Sequence, residues 1–247
     1  MTARLIAELA ARVPDALAAY RDGVAAGPGG PAATPLRALR DPGVFDATLA
    51  AFAAGLGPDA GRDRRVLVSY WSQFYLAALA TPALTALVRL GRPLPLAFDA
   101  VSLECDGAGR PCRFRLPADA PGRTACPAPG LAGLVEAHLR PFVDLCHTRC
   151  GIAPRILWGN AAVILDHVAR ELGAPEASSC DDVASGLGWR GGPGCSMSPL
   201  AQALCPGDSG CRRRRVCCLR HRLPGVPSCG ALCPVDCAAK RRSEPRC

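Results

Sequence analysis

The sequence predicts a predominantly helical α+β fold: a helical body with one small β-hairpin and a C-terminal cysteine-rich segment. Three observations carry this expectation. Apolar residues recur at helical spacing, as in Leu5, Leu9, Val13 and Leu17 near the start. The period changes to two where Val101, Leu103 and Cys105, then Cys112, Phe114 and Leu116, flank the turn signal Asp106-Gly107. From Cys195 onward periodicity fades while thiols crowd together, as expected where a bound metal rather than a packed core organises the backbone.

The elements follow in order. Residues 1–20 read as an amphipathic helix, and Glu8 and Asp15 interrupt any apolar core of a secretory signal. Gly27 to Pro35 is a Gly/Pro-rich break, followed by a helical region from Pro35 to Leu56 with Leu36, Leu39, Val44, Phe45 and Leu49 as its apolar set. A long helical pattern runs from Arg64 to Leu90, and Pro82 is expected to kink or split it. After the hairpin comes a Pro-rich loop, Ala118 to Gly130, then helices over Leu131–Thr148 and Pro154–Leu172. Pro154 suits a first helical turn and Gly173 a C-terminal stop. Gly186 to Gly194 is a further glycine-rich connection. The longest apolar run, Phe74 to Val88, contains Pro82 and is shorter than the ~20 residues a bilayer span needs, so no transmembrane span is expected. Three segments result: an N-terminal helical segment 1–63, a helical body 64–205 with the hairpin, and a basic cysteine-rich tail 206–247.

At 247 residues with 49% hydrophobic content, the chain can bury a sizeable core. Its formal charge of +8 resides in residues 211–247, where nine Arg and Lys240 face only Asp236 and Glu244. Such a tail attracts anionic partners, and also fits peripheral membrane association. Nucleic acid is not expected as a partner, because Trp189 is the sole aromatic after Trp158 and stacking platforms need aromatics. Fifteen cysteines in a chain of this length, an odd number, argue against a disulfide scaffold and for a reducing cytoplasm.

The densest chemistry is CCLRHRLPGVPSCGALC, residues 217–233: Cys217-Cys218, ten residues, Cys229, three residues, Cys233. Four thiolates at this density can hold tetrahedral zinc or an iron–sulfur cluster. Adjacent side chains of an extended strand point to opposite faces, so Cys217 and Cys218 both ligate only if the backbone turns there. Pro224-Gly225 suits the reversal that returns the second pair, and Gly230 tolerates a positive φ. Arg212 to Arg215, Arg220 and Arg222 supply counter-charge, and Arg220 and Arg222 are also candidates for contacting a bound anion. Cys237 or Cys211 could replace Cys233 as the fourth ligand. Cys105, Cys112, Cys126, Cys146, Cys150, Cys180 and Cys195 read as small buried hydrophobes or idle thiols.

Residues 215–234 resemble the C-terminal signature of ferric-siderophore reductases of the FhuF type, which carry a [2Fe–2S] cluster on Cys-Cys-x10-Cys-x2-Cys. The chain keeps Cys217, Cys218, the ten-residue spacer with Leu223-Pro224-Gly225, and Cys229; it has Gly230, Ala231 and Leu232 where that family has two residues. Tyr70-Trp71-Ser72-Gln73-Phe74-Tyr75 and Ile156-Leu157-Trp158-Gly159-Asn160 resemble two further family segments in the same order. The resemblance covers about residues 65 to 236 and implies a [2Fe–2S] cofactor on Cys217, Cys218, Cys229 and Cys233, a ferric siderophore as substrate, and an electron donor that the sequence does not identify. Siderophores hold Fe3+ with hard anionic oxygens, so adding one electron weakens the complex. The alternatives are a zinc-stabilised binding module, a [2Fe–2S] electron-transfer protein with another acceptor, and a protein like the siderophore synthetases.

Overall fold

A computed structural model describes residues 3–27, 29–30, 33–57, 60–61, 63–117, 130–174, 181–189, 198–206 and 212–235. Helix α1 (Ala3–Ala11) ends before Pro14, which opens a 3-10 turn, Asp15–Tyr20; Leu9, Val13 and Leu17 are buried, as their spacing predicts. The expected helix from Pro35 to Leu56 is divided. A 3-10 turn, Leu36–Arg40, precedes α2 (Pro42–Ala54), and Asp41 caps α2 by accepting from Val44 N at 3.1 Å.

The central element is α3 (Arg64–Leu90). The split expected at Pro82 does not occur, because burial on nearly every side holds the helix continuous. Pro82 still removes the hydrogen bond that would reach Ala78 O. Gly23 fills the resulting notch: a Cβ there would lie 2.7 Å from Ala78 O and 3.3 Å from Pro82 Cδ. By length and composition α3 could cross a membrane, and 61% of its most apolar window is buried inside the protein.

The hairpin forms as the alternation predicts, from β3 (Ser102–Cys105) and β4 (Pro111–Leu116) with Leu103 opposite Phe114. It belongs to a four-stranded sheet of order β1-β4-β3-β2, in which β1 (Val24–Ala26) runs parallel to β4 and β2 (Thr34–Pro35) antiparallel to β3. Both added strands lie at or beside the Gly/Pro-rich stretch expected to be a mere break.

A continuous helical stretch follows: α4 (Gly130–Leu134), a π-helical turn (Val135–Leu139) and α5 (Arg140–Cys150). The wide turn precedes Pro141, whose ring cannot sit over a regular i−4 carbonyl. It also points His138 into the core, where Nδ1 donates to Leu96 O and Nε2 accepts from Tyr75 Oη, each at 2.5 Å. Tyr75 stacks on Phe142 at 4.1 Å. Helix α6 (Pro154–Glu171) lies along α3; the short helices α7 (Asp181–Gly186) and α8 (Pro199–Gln202) lead to a ribbon of β5 (Leu204–Pro206) and β6 (Arg212–Arg214). Among the described residues the main core runs from Leu9 to Leu204, through both the segment 1–63 and the body 64–205.

Candidate metal centre

The thiol loop follows β6 directly. Leu219 has φ 65, the sole non-glycine residue with positive φ among the described residues, and its N–H turns back to donate to Cys217 Sγ at 3.3 Å. The chain therefore turns immediately after Cys217-Cys218, as dual ligation requires. Val226 N bonds Leu223 O at 3.3 Å across Pro224 and Gly225, and Gly225 takes φ 72, so the expected reversal sits at that dipeptide. Gly230 takes φ 55 and opens a 3-10 turn, Gly230–Leu232, between Cys229 and Cys233. Leu223 anchors the spacer in a small apolar cluster with Ala60 and Val66, flanked by Leu219, Val226 and Tyr70.

Of the four sequence-predicted thiols, Cys218 and Cys229 form a close pair, their sulfurs 3.8 Å apart; Cys217 and Cys233 lie near enough to this pair to act on it electrostatically. Two sulfurs bound at about 2.3 Å to one tetrahedral ion are about 3.8 Å apart, so the close pair already spans one edge of such a site. Among the described residues no group of three His, Cys, Asp or Glu donors gathers around a single point. The hydrogen bond from Cys229, followed by the charges of Arg214 and Arg220, pushes the Cys218 thiol down to about 5; the same bond and burial push Cys229 up. Burial raises Cys217, whose sulfur also lies 3.5 Å from His221 Nδ1.

A buried polar network ties this loop to the helical body. Ser69 Oγ on α3 donates to Cys218 O at 2.7 Å. Asn160 on α6 donates from Nδ2 to Ser69 O, Ser69 Oγ and Ser72 Oγ, and its Oδ1 accepts from Arg214 Nε at 3.0 Å. The aliphatic stem of Arg214 passes over Gly159. Ser72 and Asn160 belong to the two upstream segments singled out in the sequence, so segments about 90 residues apart converge beneath the cysteines.

Beside the thiols opens a cavity of about 490 Å3, walled by Tyr20, Tyr70 and Phe74 and edged by Arg214, Arg220 and Cys229. Arg220 lies over the Tyr70 ring at 5.6 Å, and its Nε donates to Pro227 O at 2.7 Å. Arg222 instead pairs with Asp63 at 3.3 Å, and Arg212 with Asp166 at 3.5 Å, both away from the cavity lining. Trp71 is a core residue, 1% exposed. Cys146 is buried in the core and Cys150 half-buried; Cys105 and Cys112 lie in the hairpin. Cys126, Cys180, Cys195, Cys211, Cys237 and Cys247 fall outside the described residues. The sequence reading missed Ser69, which carries no pattern, and His221, whose only signal was its place four residues after Cys217.

Comparison with known proteins agrees with this layout. Residues 69–190 match the family described as ferric iron reductase FhuF-like transporter. That match contains α3 from Ser69 onward and the Asn160 segment, and it ends before the thiol loop. A ferric siderophore reductase of Escherichia coli (strain K12) is 24% identical, over 72% of this chain and 68% of the relative. Both upstream segments lie inside the matched region and the relative aligns across most of its length, so the chain's likeness to the FhuF-like family spans its helical body.

Proposed function

We propose that the protein is a ferric-siderophore reductase that holds a [2Fe–2S] cluster on Cys217, Cys218, Cys229 and Cys233 and delivers one electron to a ferric chelate seated beside Cys229. The observation that carries this reading is the adjacency of paired thiols to a cavity edged by arginine. The family and the relative's name support the reductase activity.

When bound, the cluster supplies a single electron at a time. The chain does the rest. Ser69 and the Leu223 anchor hold the thiol loop against α3. Tyr20, Tyr70 and Phe74 offer apolar walls to a chelate, and Arg220 places positive charge where anionic oxygens would lie. Reduction to Fe2+ weakens its hold on those hard oxygens and frees the metal. The described cysteines are free thiols, which supports a reducing, cytoplasmic setting. The electron donor is a separate partner, drawn to the basic tail if it is acidic.

The test begins with anaerobically purified protein, which should carry about two iron and two sulfide per chain. After chemical reduction it is mixed without oxygen with a ferric hydroxamate chelate and a ferrous trap; trapped Fe2+ should appear as the protein re-oxidises. One zinc and no sulfide would replace this reading with a zinc-stabilised module. A reduced centre that ignores every ferric chelate but passes electrons to a protein would make it an electron carrier.

A further inference from the structure

Of the arginines described around the thiol loop, one differs in its electrostatic situation. The charge of Arg212 is met by Asp166, that of Arg222 by Asp63, and Arg220 is partly solvated and engaged by Pro227 O, Gln73 and the Tyr70 ring. Arg214 is 2% exposed, and among the described residues it makes no ion pair with a carboxylate. Its Nη1 is buried with no hydrogen-bond partner among the described residues. A buried guanidinium with no anion is expensive, so the fold must supply one. Arg214 ends the strand that leads into Cys217-Cys218 and lines the same cavity as Cys229, so the nearest candidates for that anion are the thiols of the loop.

What holds Arg214 is as telling. Asn160 gives its whole Nδ2 side to Ser69 and Ser72, which fixes the amide so that Oδ1 faces Arg214 Nε. An amide oxygen grips the guanidinium without neutralising it. An aspartate at this position would reach the same nitrogen and cancel its charge. The combination presents an uncompensated positive charge to the thiols from a buried position, where electrostatic effects are less screened.

We propose that Arg214 is the fixed counter-charge of the thiol centre and Asn160 its positioning residue, so that this pair sets how readily the centre accepts an electron. The inference rests on the iron–sulfur reading above. Reduction adds negative charge to the centre, and a fixed cation nearby favours the reduced form.

The experiment is a dithionite redox titration of the full-length, cluster-loaded protein, with iron and sulfide content measured on each sample. Arg214→Gln should lower the equilibrium constant for reduction about tenfold, which is 59 mV for one electron. Arg214→Lys keeps the charge and should stay within about twofold of wild type. Asn160→Asp, with Arg214 still present, should lower the constant in the same direction as Arg214→Gln. Arg212→Gln, whose charge Asp166 already meets, should leave it in place. An Arg214→Gln protein with full iron and sulfide and the wild-type potential overturns the proposal. If Arg214→Gln does not retain iron, an unchanged potential in Asn160→Asp overturns it instead. Wild-type protein without iron and sulfide removes the reading beneath it, and the inference falls with that reading; a loaded wild type with insensitive variants sinks this inference alone.

Discussion

Arg214 donates from Nε to Asn160 Oδ1 at 3.0 Å, a bond that joins the strand leading into the thiol loop to the helix that packs along α3. Through Ser69 the same network reaches the carbonyl of Cys218. The cysteines are thus docked onto the helical body by buried hydrogen bonds, and their geometry depends on residues far from them in sequence.

The ligand set is testable by replacement. Ser in place of Cys217, Cys218, Cys229 or Cys233 should abolish or strongly shift the visible absorption and reduce bound iron. The same change at Cys105, Cys112, Cys126 or Cys180 should leave both unchanged. If Cys233→Ser retains iron and Cys237→Ser loses it, Cys237 is the fourth ligand.

Ser69→Ala removes the donor to Cys218 O and an acceptor of Asn160 Nδ2, both buried. Asn160 Nδ2 keeps Ser69 O and Ser72 Oγ, but leaving the Cys218 carbonyl unpaired costs about 1–3 kcal/mol. Urea unfolding should report a loss of that size, and cluster retention should fall with it. A Ser69→Ala protein as stable as wild type would show that the network does not secure the loop.

His138 predicts acid sensitivity. Burial lowers its pKa from 6.5 to about 4, against the opposing pull of its hydrogen bond to Leu96 O. The unfolded chain therefore binds this proton first, and stability falls as pH drops from about 6.5 to about 4, where the loss is complete. That interval corresponds to about 3 kcal/mol from this one residue. Denaturant midpoints measured between pH 7 and 4 should show the slope in wild type and a shallower one in His138→Gln. Parallel slopes would assign the acid sensitivity to other groups.

Arg220 should matter to turnover through long-range charge. Arg220→Glu, at the cavity edge, should slow the release of trapped Fe2+ about threefold in dilute buffer, and less as salt shortens the screening length below ~10 Å. Arg222→Glu should have the smaller effect, since Asp63 already meets its charge. Equal, salt-independent effects would show that the cavity is not where the chelate sits.

The hairpin was legible because Val101 and Leu103, then Phe114 and Leu116, alternate on either side of Asp106-Gly107, a local signal for a local contact; a register shift at Glu104/Cys105 leaves Cys112, expected on the apolar face, exposed instead. So were the turns of the thiol loop, since Pro224, Gly225 and Gly230 each announce a backbone need. Strands β1 and β2 were not: they span only two or three residues each, and their pairing with Phe114 and Leu103 is imposed by the packed sheet. Pro82 misled for a related reason, because a proline breaks an exposed helix but not one clasped by Gly23 and the surrounding core. Within the run Arg212 to Arg215 the residues are identical in type. Only the tertiary fold makes Arg214 buried and Arg215 exposed, so no local pattern could single it out.

The order of the chain has a consequence for biogenesis. The core that runs from Leu9 to Leu204 precedes the thiol loop, and so do the residues of the helical body that hold it: Ser69, Ser72, Asn160 and Val66 with Ala60. During synthesis the N-terminal parts emerge first and can pack before Cys217 leaves the ribosome. The helical body is then a preformed dock on the nascent chain, and the thiol loop, with any metal it holds, would close last onto a finished surface.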